Sequence, residues 1–133
     1  MFAVNSANTD SEYEQLGGEV AVKALVTEFY MQMDTLPEAA PIRAMHPSNL
    51  DSSIEKLFEF LSGWLGGPQL YVEKHGHPRL RMRHMPFPIG PSESEQWLLC
   101  MDRALEVRMI EASKRVLLMD AFRKVANHMI NRP

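Results

Sequence analysis

The sequence is short of several features, and each shortage excludes a class of protein. It has one cysteine, Cys100, in 133 residues, which excludes an internal disulfide and fits a reducing compartment. The formal net charge is −3, so no broad positive field would attract nucleic acid. No run of about 20 apolar residues would span a membrane. Residues 1–9 carry neither a basic residue nor an apolar run, unlike a secretory signal. We therefore expect a cytoplasmic protein with no nucleic-acid partner and no membrane partner.

Strict alternation of apolar and polar residues is also scarce, so no segment favours a β-strand. Apolar residues recur instead at helical spacing in four long segments, which begin near residues 19, 51, 92 and 113. Shorter helices are expected at 11–16, from Pro37 and at 78–84, with a loop between Pro68 and residue 78. The pattern predicts an all-α fold with four long helices and several short ones.

Capping residues mark some of these helix boundaries. Thr9 or Ser11 would cap the first short helix, and Ser92 with Glu95 forms a capping-box pattern before the third long helix. The chain is 45% hydrophobic, which is enough to build one packed core at this length. We therefore expect a flexible tail over residues 1–9 and a single domain over residues 10–133.

The segment 76–90 carries the strongest chemical signal. It reads Gly-His-Pro-Arg-Leu-Arg-Met-Arg-His-Met-Pro-Phe-Pro-Ile-Gly and places His84 in the last turn of a short basic helix, which Pro86 and Pro88 end. The carbonyl of Leu80 lies one turn earlier and would fix one ring nitrogen of His84. The other nitrogen would then be available to the iron of a porphyrin, against which Leu80 and Phe87 would pack.

Basic charge is concentrated around this histidine. Lys74, Arg79, Arg81 and Arg83 stand against Glu73, a local charge of +3 in a chain of −3. Arginine pairs well with carboxylates, so Arg81 and Arg83 would suit the propionates of haem. The alternatives are that these residues form a solvated helix face and that the histidine is an ordinary surface or capping residue.

Two aromatic residues far from this segment would supply the other side of a pocket. Tyr30 and Trp97 lie on apolar helical faces, where a buried hydroxyl needs a partner and an indole N–H can only donate. Iron-bound O₂ carries partial negative charge, so each donor would stabilise it by on the order of 1 kcal/mol or more, about a factor of ten in dissociation. Alternatively, both are core aromatics bonded to backbone carbonyls.

Taken together, these residues resemble the truncated haemoglobins, specifically their second group. The resemblance covers Tyr13 to about Asn131 and rests on five segments: Tyr13-Glu-Gln-Leu-Gly-Gly, Phe29-Tyr30, Phe60-Leu-Ser-Gly-Trp-Leu-Gly-Gly-Pro68, Gly76 to Phe87, and Trp97. It implies a globin-like two-over-two helical sandwich around b-type haem (haem b, iron protoporphyrin IX). Residues 10–133 would then form a single truncated globin domain.

The resemblance also assigns roles to individual residues. It makes His84 the proximal iron ligand, Tyr30 the distal tyrosine and Trp97 the tryptophan that marks the second group. Four residues of the helix expected from about 51 would complete the pocket, the first of them at the distal gate: Ser53, Leu57, Phe60 and Leu61.

One position departs from the commoner pattern of the family. Where many members carry Phe or Tyr, this chain has His46, within Met45-His46-Pro47. His46 would lie beside Tyr30 and Trp97 as a titratable donor that bonds the ligand directly or through water. His46 or Tyr30 would also be able to approach ferric iron when no ligand is present. The other interpretation is that His46 points to solvent and only packs against the haem edge.

Three functions follow from these observations. The first is a haem protein that binds O₂, NO or CO through iron held by His84 and releases the ligand slowly. The second is a haem enzyme, a peroxidase or nitric-oxide dioxygenase, which would need a separate reductase because the sequence has no dinucleotide fingerprint. The third is a helical protein-interaction module without haem. Both monomer and homodimer remain open.

Overall fold

A computed structural model of the chain describes residues 11–133. Over this range there is no strand, and the helices are α1 (Glu12–Leu16), α2 (Gly18–Thr35), a 3-10 helix (Pro37–Ala39), α3 (Ala40–Ala44), α4 (Asp51–Trp64), α5 (Leu70–His75), α6 (Leu80–His84), α7 (Pro91–Val107) and α8 (Ala112–His128). The predicted all-α fold with four long helices is confirmed. The predicted tail over residues 1–9 lies outside the described residues.

The chain divides into two compact units. Among the described residues, the first unit contains residues 11–27 together with Asn49–Pro78, and the second contains Glu28–Ser48 together with Arg79–Pro133. Helix α2 contributes its first part to one unit and its last part to the other. No helix between residues 11 and 133 is both long enough and apolar enough to cross a membrane. The expectation of one domain over residues 10–133 stays a prediction.

In the first unit, the turn after α4 is built around a tyrosine. The backbone N–H of Tyr13 donates to the carbonyl of Leu65 at 2.9 Å, and the buried Tyr13 ring lies directly against Gly67, where a Cβ would overlap it. Gly66 adopts a φ of +88°, a conformation that costs glycine little. The two glycines therefore let the chain reverse and approach the ring closely. The predicted cap of α1 by Ser11 is confirmed, because its Oγ accepts from the N–H of Glu14 at 3.2 Å.

Helix α5 occupies the segment for which the sequence predicted a loop. It has six residues and no side-chain cap, so its sequence carries little helical signal. Contacts with α4 hold it instead: Nζ of Lys74 lies 3.2 Å from Oε2 of Glu59, and Nε2 of His75 lies 3.1 Å from Oε1. The loop prediction is wrong because these tertiary contacts stabilise a turn that local sequence does not specify.

In the second unit, α7 begins earlier than the capping pattern predicted. Gly90 is the N-cap, Pro91 is the first helical residue, and Oε1 of Glu93 accepts from the N–H of Gly90 at 2.7 Å. Ser92 and Glu95 therefore do not form the predicted capping box. Proline suits the first helical position, because its missing N–H would have no partner there, and this preference fixes the start of α7.

Helices α7 and α8 pack against each other, and α3 and the 3-10 helix pack against α7. The N–H of Ile42 in α3 donates to Oε1 of Gln96 in α7 at 3.3 Å. The buried side chains of α7 and α8 are Ser94, Leu98, Cys100, Met101, Ala104, Leu105, Leu118, Phe122 and Ala126. This packed layer supports the segments that carry the candidate site.

Candidate functional site

His84 is the last residue of α6, and its ring is fixed by its own helix. Nδ1 lies 2.6 Å from the carbonyl oxygen of Leu80. A carbonyl only accepts, so Nδ1 carries a hydrogen and donates it, and in the neutral ring Nε2 has the lone pair. This is the bond to Leu80 that the sequence predicted. It leaves a half-buried imidazole with one nitrogen ready to bind a metal.

Helix α6 is a single turn of five residues without a side-chain cap. The residue before it, Arg79, has a φ of 46°, a left-handed conformation that is uncommon outside glycine. A helix this short is not stable by itself in water. Arg81 links it to the end of α8: Nη1 donates to the carbonyls of His128 and Ile130 at 2.7 and 2.8 Å.

Three predicted residues meet in one aromatic cluster of the second unit. The rings of Tyr30 and His46 lie 5.7 Å apart and nearly perpendicular. The buried ring of Phe29 lies 5.0 Å from Tyr30 and 5.0 Å from Trp97, and Trp97 in turn lies 5.6 Å from Phe122. Phe29 was not singled out from the sequence, although it precedes Tyr30 in one of the matched segments. It packs against both predicted donors.

Burial keeps the phenol of Tyr30 neutral. Tyr30 is 7% exposed, and this burial raises the pKa of its hydroxyl well above the usual value. The hydroxyl therefore stays protonated, and able to donate a hydrogen bond, through the whole physiological pH range.

The ring of His46 is fixed by a hydrogen bond to the carbonyl of Ile42, and its predicted role as a donor to the ligand stays a prediction. Its Nδ1 lies 2.8 Å from the carbonyl of Ile42, so Nδ1 donates and Nε2 accepts while the ring is neutral. Burial lowers the pKa of His46 and outweighs the opposing Ile42 bond, and the positive charge of Arg43 lowers the pKa further. The ring is therefore mostly neutral at neutral pH, and Nε2 is then an acceptor and not a donor.

The residues predicted on α4 belong to the first unit. Ser53, Leu57 and Phe60 are half-buried, whereas Leu61 is fully buried. Their spacing of about four residues puts them on one face of α4. Their predicted contacts with haem stay predictions.

Apolar side chains are exposed beside His84. Met82 is 55% exposed, Met85 48% and Phe87 40%, whereas Leu80 is half-buried and Arg83 exposed. Exposed apolar surface next to an imidazole fits a flat apolar ring such as a porphyrin. The donor set of this site therefore fits haem.

Sequence reasoning missed Asn131. Its Nδ2 donates to the carbonyl of Phe87 at 3.0 Å and to that of His84 at 3.3 Å, and its Oδ1 accepts from the N–H of Ile89 at 3.0 Å. The only sequence signal was an asparagine just after a helix, which is common at helix ends. Nothing in that pattern indicates a contact with residues 84–89.

The helices and these side chains are those of a globin. Residues 11–131 match the family model described as "Bacterial-like globin", so the chain belongs to this family. A curated relative, the group 2 truncated hemoglobin YjbI of Bacillus subtilis (strain 168), is 39% identical over 122 residues, which are 92% of this chain and 89% of the relative.

Two solved structures are similar along nearly the whole chain. The group II 2-on-2 hemoglobin of Agrobacterium tumefaciens is 47% identical with a TM-score of 0.90, covering 97% of this chain and 100% of that one. The truncated oxygen-avid haemoglobin of Bacillus subtilis is 39% identical with a TM-score of 0.83, covering 92% and 100%. The chain is therefore a group II truncated haemoglobin with the 2-on-2 fold, a haem-binding and oxygen-binding globin.

Proposed function

We propose that this globin binds O₂ reversibly, and also NO or CO, at the iron of haem b held by His84, and that it releases O₂ slowly. The observation that carries this proposal is the 2.6 Å bond from Nδ1 of His84 to Leu80. It fixes the ring orientation and directs the lone pair of Nε2 away from the helix. A similar solved structure is described as oxygen-avid, in agreement with slow release.

Haem, when bound, supplies a ferrous iron with a coordination position for a diatomic ligand. On the His84 side, the Leu80 carbonyl accepts a hydrogen bond from Nδ1–H. This bond makes Nε2 a stronger electron donor to a metal. Leu80 and Phe87 would give the porphyrin an apolar contact. Arg83 would face a propionate, and Arg81 would do so only with the part of its guanidinium that the α8 carbonyls leave available.

Tyr30 and Trp97 would donate hydrogen bonds to the bound ligand. The phenol of Tyr30 stays neutral and protonated, and the indole N–H of Trp97 can only donate. Phe29 packs on both rings at 5.0 Å, so neither donor needs to become ordered when the ligand binds. On α4, Ser53 would stand at the gate, and Leu57, Phe60 and Leu61 would line the pocket and exclude water.

His46 would act as an acceptor at neutral pH. Its Nε2 would receive a proton or a hydrogen bond from Tyr30, from water or from a ligand that carries a hydrogen. It would also be able to bind ferric iron when no other ligand is present. Protonation at lower pH would turn Nε2 into a third donor toward bound O₂.

A second candidate function is that of a haem enzyme, a peroxidase or nitric-oxide dioxygenase served by a separate reductase. The neutral His46 beside Tyr30 favours it, since an acceptor nitrogen at this position would take up a proton from hydrogen peroxide. Sustained peroxide turnover with a reducing substrate that falls at least tenfold in His46→Phe would support this function. Bleaching without turnover would argue against it.

Absorption spectra of the ferric, ferrous and O₂ forms test the proposal. We expect the wild type to bind haem and His84→Ala to lose the imidazole-ligated ferrous spectrum, with recovery when free imidazole is added. His128→Ala, an exposed histidine of α8, is the matched control and should behave as the wild type. An unchanged ferrous spectrum in His84→Ala would refute His84 as the iron ligand.

The buried Cys100 is consistent with a cytoplasmic location, which we propose together with a monomer or homodimer.

A further inference from the structure

The segment that follows α8 is bonded to the loop that follows His84. We call residues 129–132 the post-α8 segment. Asn131 uses both ends of its carboxamide, because Nδ2 donates to the carbonyls of His84 and Phe87 while Oδ1 accepts from the N–H of Ile89. The backbone adds two more bonds: the N–H groups of Asn131 and Arg132 donate to the carbonyl of Ile89 at 2.8 and 3.0 Å.

Arg81 forms the return connection from α6. Its Nη1 donates to the carbonyls of His128 and Ile130. The last carbonyls of a helix have no partner within the helix, and an arginine that bonds them also complements the negative end of the helix dipole. Helix α6 and the post-α8 segment are therefore joined on both sides of His84.

These bonds supply what α6 lacks. A single helical turn forms only when tertiary contacts hold it, and the Leu80 bond orients the His84 ring only relative to α6 itself. The position of the ring in the protein therefore depends on what holds α6. One of the holding bonds goes to the carbonyl of His84, so Asn131 restrains the backbone of the ligand residue directly.

We propose that Asn131 is a positioning residue for the iron ligand His84, and that Arg81 shares this role. The pair sets where the imidazole stands, and so sets the strength of the iron–histidine bond and the rate at which haem is lost. This inference rests on the proposed role of His84 as iron ligand. It also gives Arg81 a function different from the propionate contact that the sequence predicted.

The test measures the iron–histidine stretching band of the ferrous protein by resonance Raman, and the rate of haem transfer to an excess of a haem-scavenging apoprotein. Asn131→Ala removes three bonds and should shift or broaden the band and speed haem loss at least fivefold. Asn131→Asp keeps the acceptor for Ile89 but loses both donations, so it should reproduce most of the effect. Arg81→Ala should act in the same direction, and the double variant should be less than additive.

Asn127→Ala and Arg123→Ala are the matched controls. Asn127 lies on α8 and bonds the buried Ser94, and Arg123 pairs with Glu95 at 2.6 Å, but neither side chain forms a hydrogen bond to residues 84–89. Both should leave the band unchanged. If Asn131→Asp keeps the wild-type band and haem-loss rate, or if Asn127→Ala changes them equally, the positioning role is refuted. Where Asn131→Ala fails to fold, Asn131→Asp and Arg81→Ala decide.

The experiments distinguish an error in the proposed iron ligand, His84, from an error in the proposed positioning role of Asn131. If the wild type shows no band that depends on His84, the proposed function is wrong. Hydrogen exchange at the N–H groups of Arg83 and Met85 would still report on the hydrogen bonds between residues 81–89 and the post-α8 segment. Faster exchange in Asn131→Asp than in Asn127→Ala supports that mechanical role, and equal exchange overturns it.

Discussion

Replacing Tyr30 with phenylalanine isolates one hydrogen bond. The change removes only the hydroxyl, because the remaining ring keeps its packing against Phe29 at 5.0 Å and His46 at 5.7 Å. Since the side chain is 7% exposed, phenylalanine should be as well buried as tyrosine. The expected change in O₂ binding therefore comes from the lost donor and not from repacking.

The magnitude follows from the charge state of the phenol. A neutral donor contributes about 1–1.5 kcal/mol, which is roughly a five- to thirteenfold faster O₂ dissociation in Tyr30→Phe. Because burial raises the pKa of Tyr30, this factor should be constant across neutral and moderately alkaline pH. With a similar and additive contribution from Trp97, the variant Tyr30→Phe/Trp97→Phe should release O₂ roughly 30- to 160-fold faster than the wild type.

Stopped-flow displacement of O₂ by CO measures these rates. Tyr71→Phe is the matched control, because Tyr71 is a half-buried tyrosine of the first unit and should leave the rate unchanged. A change below twofold in Tyr30→Phe, with far-UV circular dichroism and ferric spectra intact, would refute Tyr30 as a donor. A ratio of the two dissociation rates that shrinks between neutral pH and pH 10 would refute the neutral state of the phenol.

Three further predictions concern other parts of the chain. Because the pKa of His46 is lowered, Nε2 becomes a donor only as pH falls below about 6.5. O₂ release should therefore slow in mild acid in the wild type and not in His46→Phe. Equal pH profiles of the two proteins would contradict the proposed donation by His46. Glu59 is 5% exposed; burial alone would raise its pKa, but the bonds from His75 and Lys74 outweigh burial and lower it. The stabilisation by ionised Glu59 is therefore present above the pKa of the unfolded state and is lost as pH falls through the pKa of the folded state. In urea titrations at neutral pH, Glu59→Gln should be less stable than the wild type by about 1–2 kcal/mol. On acidification, the variant should lose less unfolding free energy than the wild type does. Gly67→Ala should cost about 1–3 kcal/mol of unfolding free energy because its Cβ overlaps the ring of Tyr13. Gly63→Ala should cost less, because its Cβ meets only the end of the flexible Gln69 side chain. Similar melting temperatures for the two variants would contradict the overlap.

The long helices were predictable because residues at and near their ends indicate where each helix begins or stops. Pro37 opens a helical turn, Gly66 and Gly67 allow the chain to reverse, and the apolar spacing of α2, α4, α7 and α8 is regular. Helix α5 was not predictable, because its stability comes from the contacts of Lys74 and His75 with Glu59, which lies 15 and 16 residues earlier. The start of α7 was misplaced because two capping patterns overlap there, and the one with proline at the first position forms.

The candidate site divides in the same way. The bond between His84 and Leu80 spans four residues of one helical turn, so local spacing was enough to predict it. The hydrogen-bonding direction of His46 depends on which ring nitrogen reaches Ile42, and no sequence pattern specifies a rotamer. The partners of Arg81 and Asn131 lie more than forty residues away, so neither role was readable from local sequence.

The bonds of Asn131 also impose an order on synthesis. Asn131 and the His84 carbonyl to which it donates are 47 residues apart, and Arg81 lies 47 residues before the His128 carbonyl to which it donates. During translation, the turn that carries His84 therefore emerges from the ribosome long before the residues that secure it. A chain interrupted before residue 131 would contain every haem contact proposed above and still lack the bonds that Asn131 makes to the segment of the proposed iron ligand.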